Sequence, residues 1–136
     1  MLHAELVCAM ARRLEDLTVY QLSSELRNLV IEFSATGGLS KDWRLRDQIR
    51  AAASSVPANI AEGFGRFRPR EFARSLRYAN GSLKEVLAHT ADATARGYWN
   101  AEQAAAVQKL CRRTGTALAR LITYLDSCKP TGESRS

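Results

Sequence analysis

Arg66, Arg68, Arg70, Arg74, Arg77 and Lys84 are the residues of this chain best suited to chemistry with a partner. At about 100° per residue, Arg70, Arg74, Arg77 and Lys84 share one side of a helix, opposite its apolar face. Arg66 and Arg68 lie just before them, in a Gly/Arg loop. A one-sided row of guanidinium groups can follow the phosphates of a nucleic acid. Phe64 and Phe67 interleave with the loop arginines, and an aromatic ring beside arginine can stack on an unpaired base. Phe64 also continues the apolar phase of Ile60, which fits a plug at one end of the core. Tyr78 falls off the core face and is a candidate for a subunit interface. The competing reading of the whole row is a solvated face or an intersubunit salt-bridge surface.

Other combinations carry less. Gly63-Phe64-Gly65 follows a helix rather than a strand, and no Gly-Lys-Ser/Thr comes after it, so it is not a phosphate loop. Glu85 and His89 share a helix face, but carboxylate-bridged metal bundles need Glu-x-x-His pairs on two helices. A surface contact four residues apart is the better reading. Asn59 and Glu62 sit beside Pro57, where Asn59 can bond carbonyls freed by the proline and Glu62 can pair with Arg66. A small-molecule or enzymatic cleft at Asn59 and Glu62 is the weaker alternative. No nucleophile, base and orienting group can be assembled. The expectation is a non-enzyme without catalytic residues, metal or cofactor.

Composition bounds the rest. A chain of 136 residues fits one domain, and 46% apolar residues suffice for one core. Of the 20 basic residues, 16 are arginine, and the net charge is +6. Eight arginines lie between Arg44 and Arg77 against Asp47, Glu62 and Glu71. That excess favours polyanions or acidic partner surfaces. Cys8, Cys111 and Cys128 show no metal spacing; Cys111 lies on a core stripe, as a reduced packed thiol would. No stretch reads as a signal peptide or membrane span, and the expected location is the cytosol.

Four helices must position these residues. Thr18-Val19-Tyr20-Gln21 reads as a capping box opening the first, and Gly37-Gly38 as its end. Ser40 is the expected cap of the second, with Asp42 in its first turn and the stripe Leu45, Ile49, Ala52, Val56 and Ile60. The stripe keeps phase across Pro57, so a kink rather than a break is expected, with Ser54 and Ser55 able to satisfy freed carbonyls. Gly63 and Gly65 should end this helix. Pro69 opens the third, which carries Phe72, Leu76, Ala79, Leu83, Val86, Leu87 and Thr90 on one face and stops at Gly97. Asn100 and Gln103 form a capping box for the fourth, whose seam is Val107, Cys111, Thr114, Leu118, Leu121 and Leu125. Short connections predict an all-α, antiparallel up-down-up-down four-helix bundle over residues 14–128. The last two helices should each be about 40 Å long. Residues 1–13 form an N-terminal extension, helical or loose, and residues 129–136 a polar tail.

The segments Leu45-Arg46-Asp47-Gln48-Ile49-Arg50, Val56-Pro57-Ala58-Asn59-Ile60-Ala61-Glu62-Gly63, Glu71-Phe72 and Gly81-Ser82-Leu83-Lys84-Glu85 closely resemble the 23S rRNA intervening-sequence proteins. Leu17-Thr18-Val19-Tyr20-Gln21 and Gly97-Tyr98 also fit, so the resemblance spans roughly Leu14 to Leu125. It implies a four-helix bundle and a homo-oligomer, with a ring of five as the associated form. Similar accessory proteins of diversity-generating retroelements contact nucleic acid and a reverse transcriptase through a basic surface, which makes RNA, DNA and such an enzyme candidate partners. The family has no established catalytic residues to carry over. The chain departs from the pattern at its extra N-terminal segment and at Asn80.

Overall fold

The computed structural model describes residues 13–66 and 68–128. Every regular element among them is helical: a short 3-10 helix Leu14–Asp16, then α1 Thr18–Ser34, α2 Gly37–Lys41, α3 Trp43–Phe64, α4 Pro69–Ala95 and α5 Ala101–Asp126. The expected N-terminal extension, the polar tail, Cys8 and Phe67 lie wholly or almost wholly outside the described residues.

Helix α1 starts at Thr18 but not by the expected capping box. Leu17 is the N-cap residue, with no side-chain cap bond. Thr18 is already helical, and the Gln21 side chain turns back to donate to the Glu15 carbonyl at 2.8 Å. The 3-10 helix places that carbonyl within reach and so replaces the box. Val19, Leu22, Leu26 and Val30 are buried. Ser23 and Ser34, also buried, donate to the carbonyls of Tyr20 and Ile31 within their own helix.

The connection that follows holds a helix the sequence did not announce. Helix α1 ends at Ser34, and Gly37 opens α2 with φ +70°. A positive φ suits glycine because it has no Cβ to clash. Gly38 is needed for another reason: a Cβ there would stand 2.6 Å from the Tyr98 ring. Leu39 drops from α2 into the core. Because Ser40 lies inside α2, its hydroxyl donates to Gly37 O and does not cap α3. The chain leaves helical geometry at Asp42 instead, and Asp42 Oδ1 accepts from Leu45 N.

Helix α3 runs unbroken through Pro57, and its whole expected stripe is buried. Asn59 Nδ2 donates to the carbonyl of Ser55 at 2.8 Å and to its hydroxyl at 3.0 Å, not to the carbonyl of Ala53 that the proline deprives of a donor. Ser82 Oγ on α4 donates to Ser55 Oγ at 2.8 Å, joining the two helices beside the proline. Gly63 is not a stop signal. It is buried inside α3, and a Cβ there would come within 2.7 Å of Ser75 Cβ and 2.8 Å of Phe72 Cδ1. Gly65 does end the helix.

Pro69 is the first residue of α4, where its missing amide costs no hydrogen bond. The expected apolar face is buried except Leu87, which is 38% exposed. Gly97, with φ +78°, turns the chain after α4. Asn100 and Gln103 make the full capping box at the start of α5: Gln103 N donates to Asn100 Oδ1, and Asn100 N to Gln103 Oε1. The α5 seam is buried apart from half-buried Leu121.

Helix α1 packs on α3 and α5, and α4 packs on the same two. Leu26, Ile49, Ile60, Leu76 and Leu118 are fully buried between them. Each such side chain contributes roughly 1.5–3 kcal/mol by leaving water. Cys111 packs in this core, and burial pushes its thiol up to about 12. Phe64 closes one end, meeting Phe72 edge-on with ring centroids 6.2 Å apart. At the other end Trp99 meets Phe33 edge-on, and its indole nitrogen donates to Phe33 O at 3.0 Å.

Candidate nucleic-acid interface

Helix α4 holds Arg70, Arg74, Arg77 and Lys84 on the side away from its buried face, and all four are exposed. Arg66 and Arg68 are exposed in the turn before it. All six basic side chains of the expected row are therefore exposed. What the sequence did not reveal is how far its charge is answered within the chain. Glu71, in the first turn of α4, lies 3.5 Å from Arg66 and 3.7 Å from Arg68. Arg77 pairs with Asp126 at the end of α5. Arg74 lies over the Tyr78 ring, 5.8 Å from its centroid, and donates to the Tyr78 hydroxyl at 3.4 Å.

Glu62 does not pair with Arg66, whose guanidinium lies beside Glu71 instead. Glu62, Arg66, Glu71, Arg74, Ser75 and Tyr78 together line a small polar hollow of about 240 Å³. With two carboxylates and two guanidiniums it is a mixed-charge surface. The Arg66–Glu71 pair in the hollow and the Arg77–Asp126 pair beyond it are about half exposed, and ion pairs of that kind contribute only about 0–1 kcal/mol. An incoming phosphate must displace them, at a cost of that size for each pair. Tyr78 is 57% exposed and stands at the rim.

Glu85 and His89 acquire no further ligand: no group of three metal-binding side chains occurs among the described residues. Nor is any helix of the described residues long and apolar enough to cross a membrane.

Two further groups escaped the sequence reading. Asp42, Arg96 and Tyr98 tie the start of α3 to the turn after α4. Asp42 Oδ2 accepts from the Tyr98 hydroxyl at 2.8 Å and from Arg96 Nη1 at 2.9 Å. The Tyr98 hydroxyl, the Leu45 amide and Arg96 hold the Asp42 carboxyl below the usual aspartate range, and Asp42 in turn raises the Tyr98 phenol. Asp42 lies more than fifty positions from Arg96 and Tyr98, and no spacing rule joins them.

The second group is on α5, where Arg112, Arg113 and Arg120 line an open groove of about 500 Å³ against α1. A signal for it was present in the sequence: no acidic residue occurs from Gln103 to Leu125.

The model of the family described as 23S rRNA-intervening sequence protein matches residues 15–120. Among curated proteins none matches the chain.

Proposed function

The chain belongs to the 23S rRNA-intervening sequence protein family, and on that premise we propose that it is a non-enzymatic, homo-oligomeric four-helix bundle that binds RNA or DNA through a basic surface. The observation that carries this reading is the exposure of Arg66, Arg68, Arg70, Arg74, Arg77 and Lys84 on the outward side of α4 and in the turn before it. Such a row meets phosphates without reading base sequence, so binding should be weakly selective and strongly salt-dependent.

The antiparallel arrangement is supported by the order of contacts between α3 and α4. Asp42 meets Arg96, Ser55 meets Ser82, and Gly63 faces Ser75, so the pairing runs in opposite directions along the two helices. Short connections and the pairwise packing of four long helices support the up-down-up-down bundle. Self-assembly is supported by Trp43, 69% exposed, and by Tyr78, Ile31 and Leu87, large side chains that a second copy would cover. Five subunits is the number the family resemblance implies, and the cytosol is the compartment this reading assigns.

The test is a gel shift with structured RNA across a salt series, comparing the wild type with the triple variant Arg70→Glu, Arg74→Glu, Arg77→Glu. Wild-type binding that weakens with salt, and a folded, oligomeric variant that binds less, support the reading. A folded, oligomeric variant that binds as well as wild type contradicts the stripe assignment.

A second reading is favoured by one observation: the row already pairs with Glu71 and Asp126 around an exposed tyrosine. Mixed charge around tyrosine and arginine suits a protein partner, such as another subunit or a reverse transcriptase. In that case the triple variant loses its oligomer or a protein partner, and wild type binds no nucleic acid.

A further inference from the structure

Among the described residues, the cations of α5 meet no acidic partner, whereas Arg66, Arg68 and Arg77 of the α4 row do. At about 100° per residue, Lys109, Arg112, Arg113 and Arg120 occupy an arc of about 100°, centred opposite the buried seam of Val107, Cys111 and Leu118. All four are exposed, and among the described residues none makes an ion pair or a hydrogen bond. The acids of α5 stand at its ends: Glu102 lies in the first turn, and Asp126 is engaged by Arg77. The wall that α1 contributes to the groove is neutral, formed by Thr18 and Leu22.

We propose that this α5 face is a phosphate-backbone contact for nucleic acid, and that it carries the larger share of the affinity. The inference rests on the reading that the protein binds nucleic acid and relocates the main contact. Charge decides the choice between the two faces. A phosphate reaching α4 must displace Glu71 and Asp126 from their arginines, whereas on α5 it meets cations that no carboxylate of the described residues engages. Counterion release is then gained without an offsetting loss. The planar guanidinium matches phosphate oxygens in a bidentate manner. Arg112 and Arg120 lie about 12 Å apart along the axis at 1.5 Å per residue. That is the span of about three to four nucleotide steps at 3.4 Å. Lys109, Arg112, Arg113, Thr116 and Arg120 give this exposed arc four cations and a hydroxyl, which suits a sugar-phosphate backbone.

The experiment is fluorescence anisotropy of a labelled RNA hairpin over a potassium chloride series, with light scattering and a thermal melt for every protein. The proteins are wild type, Arg112→Glu/Arg113→Glu/Arg120→Glu, and Arg70→Glu/Arg74→Glu/Arg77→Glu, each also made with glutamine in place of glutamate. The expected result is at least a tenfold loss for the α5 variants, with the salt slope flattened by about two to three units. The α4 variants should lose less, and all should keep the wild-type mass and melt. Wild-type-like binding by the α5 variants, with loss confined to the α4 variants, overturns this inference and leaves nucleic-acid binding standing. Wild type that binds no RNA overturns both, including the case in which it captures only an acidic polypeptide. Loss of the oligomer in the α5 variants also overturns it, by making the row a subunit contact.

Discussion

Arg77, on the outward side of α4, is bound by Asp126 at the far end of α5. A residue expected to meet phosphate thus already has an anionic partner from the next helix. The pair is about half exposed on both sides, so it is worth roughly 0–1 kcal/mol. Asp126→Asn should release Arg77 and remove one negative charge from the surface. We expect RNA affinity to rise by up to about fivefold at low salt, the equivalent of about 1 kcal/mol, with the gain lost at high salt. Unchanged affinity in an anisotropy titration would show that Arg77 lies outside the contact.

Gly63 and Gly81 predict opposite outcomes for the same substitution. Replacing a helical glycine by alanine gains up to about 1 kcal/mol in backbone terms. At Gly63 the new Cβ would meet Ser75 Cβ and the Phe72 ring below 3.0 Å, and overpacking of this kind costs about 1–3 kcal/mol. At Gly81 nothing lies within 4 Å. Chemical denaturation should find Gly63→Ala less stable than wild type and Gly81→Ala more stable by about 0.5–1 kcal/mol. A stabilised Gly63→Ala would mean that α3 and α4 separate more easily than their contact implies.

The two capping boxes read from the sequence can be told apart by mutation. Asn100 accepts from Gln103 N at 2.8 Å, whereas Thr18 caps nothing. Asn100→Ala should cost about 0.5–2 kcal/mol in urea melts, and Thr18→Ala a few tenths at most. Equal losses would place a cap on α1 after all.

Asp42 gives the fold a dependence on acid. Its carboxyl is held below the ordinary aspartate value of 3.8, chiefly by the Tyr98 hydroxyl and the Leu45 amide. A depressed folded pKa contributes stability that is fully present above the unfolded value and is lost as pH falls through the folded one. Asp42→Ala should therefore melt lower than wild type at pH 7. The gap should narrow as pH drops below about 3.8. A gap that stays constant down to pH 2 would remove the carboxylate from this account.

Local signals in the sequence were enough for most of the helices. The stripe from Leu45 to Ile60, Pro69 at a helix start and the Asn100–Gln103 box each depend on residues a few positions apart, and each stands where expected. What escaped depends on distant parts of the chain. Ser40 looked like a cap because nothing local reveals that Leu39 turns into the core and pulls Gly37–Lys41 into a helix of its own. Gly63 looked like a helix terminator, since its real constraint is Ser75 on the next helix. The basic row was legible as a helix face. Its neutralisation by Asp126 was not, because that residue lies about fifty positions away. The acid-free run of α5 was legible, but charge density around a glycine loop concealed it.

The most direct test of the central claim is the mass of the purified protein by light scattering, with and without bulk RNA, at low and high salt. The account predicts a particle several times the 15.1 kDa chain without RNA. With RNA at low salt it predicts a heavier complex that returns to the first mass at high salt. A 15.1 kDa monomer, or a mass that RNA leaves unchanged at low salt, would contradict it.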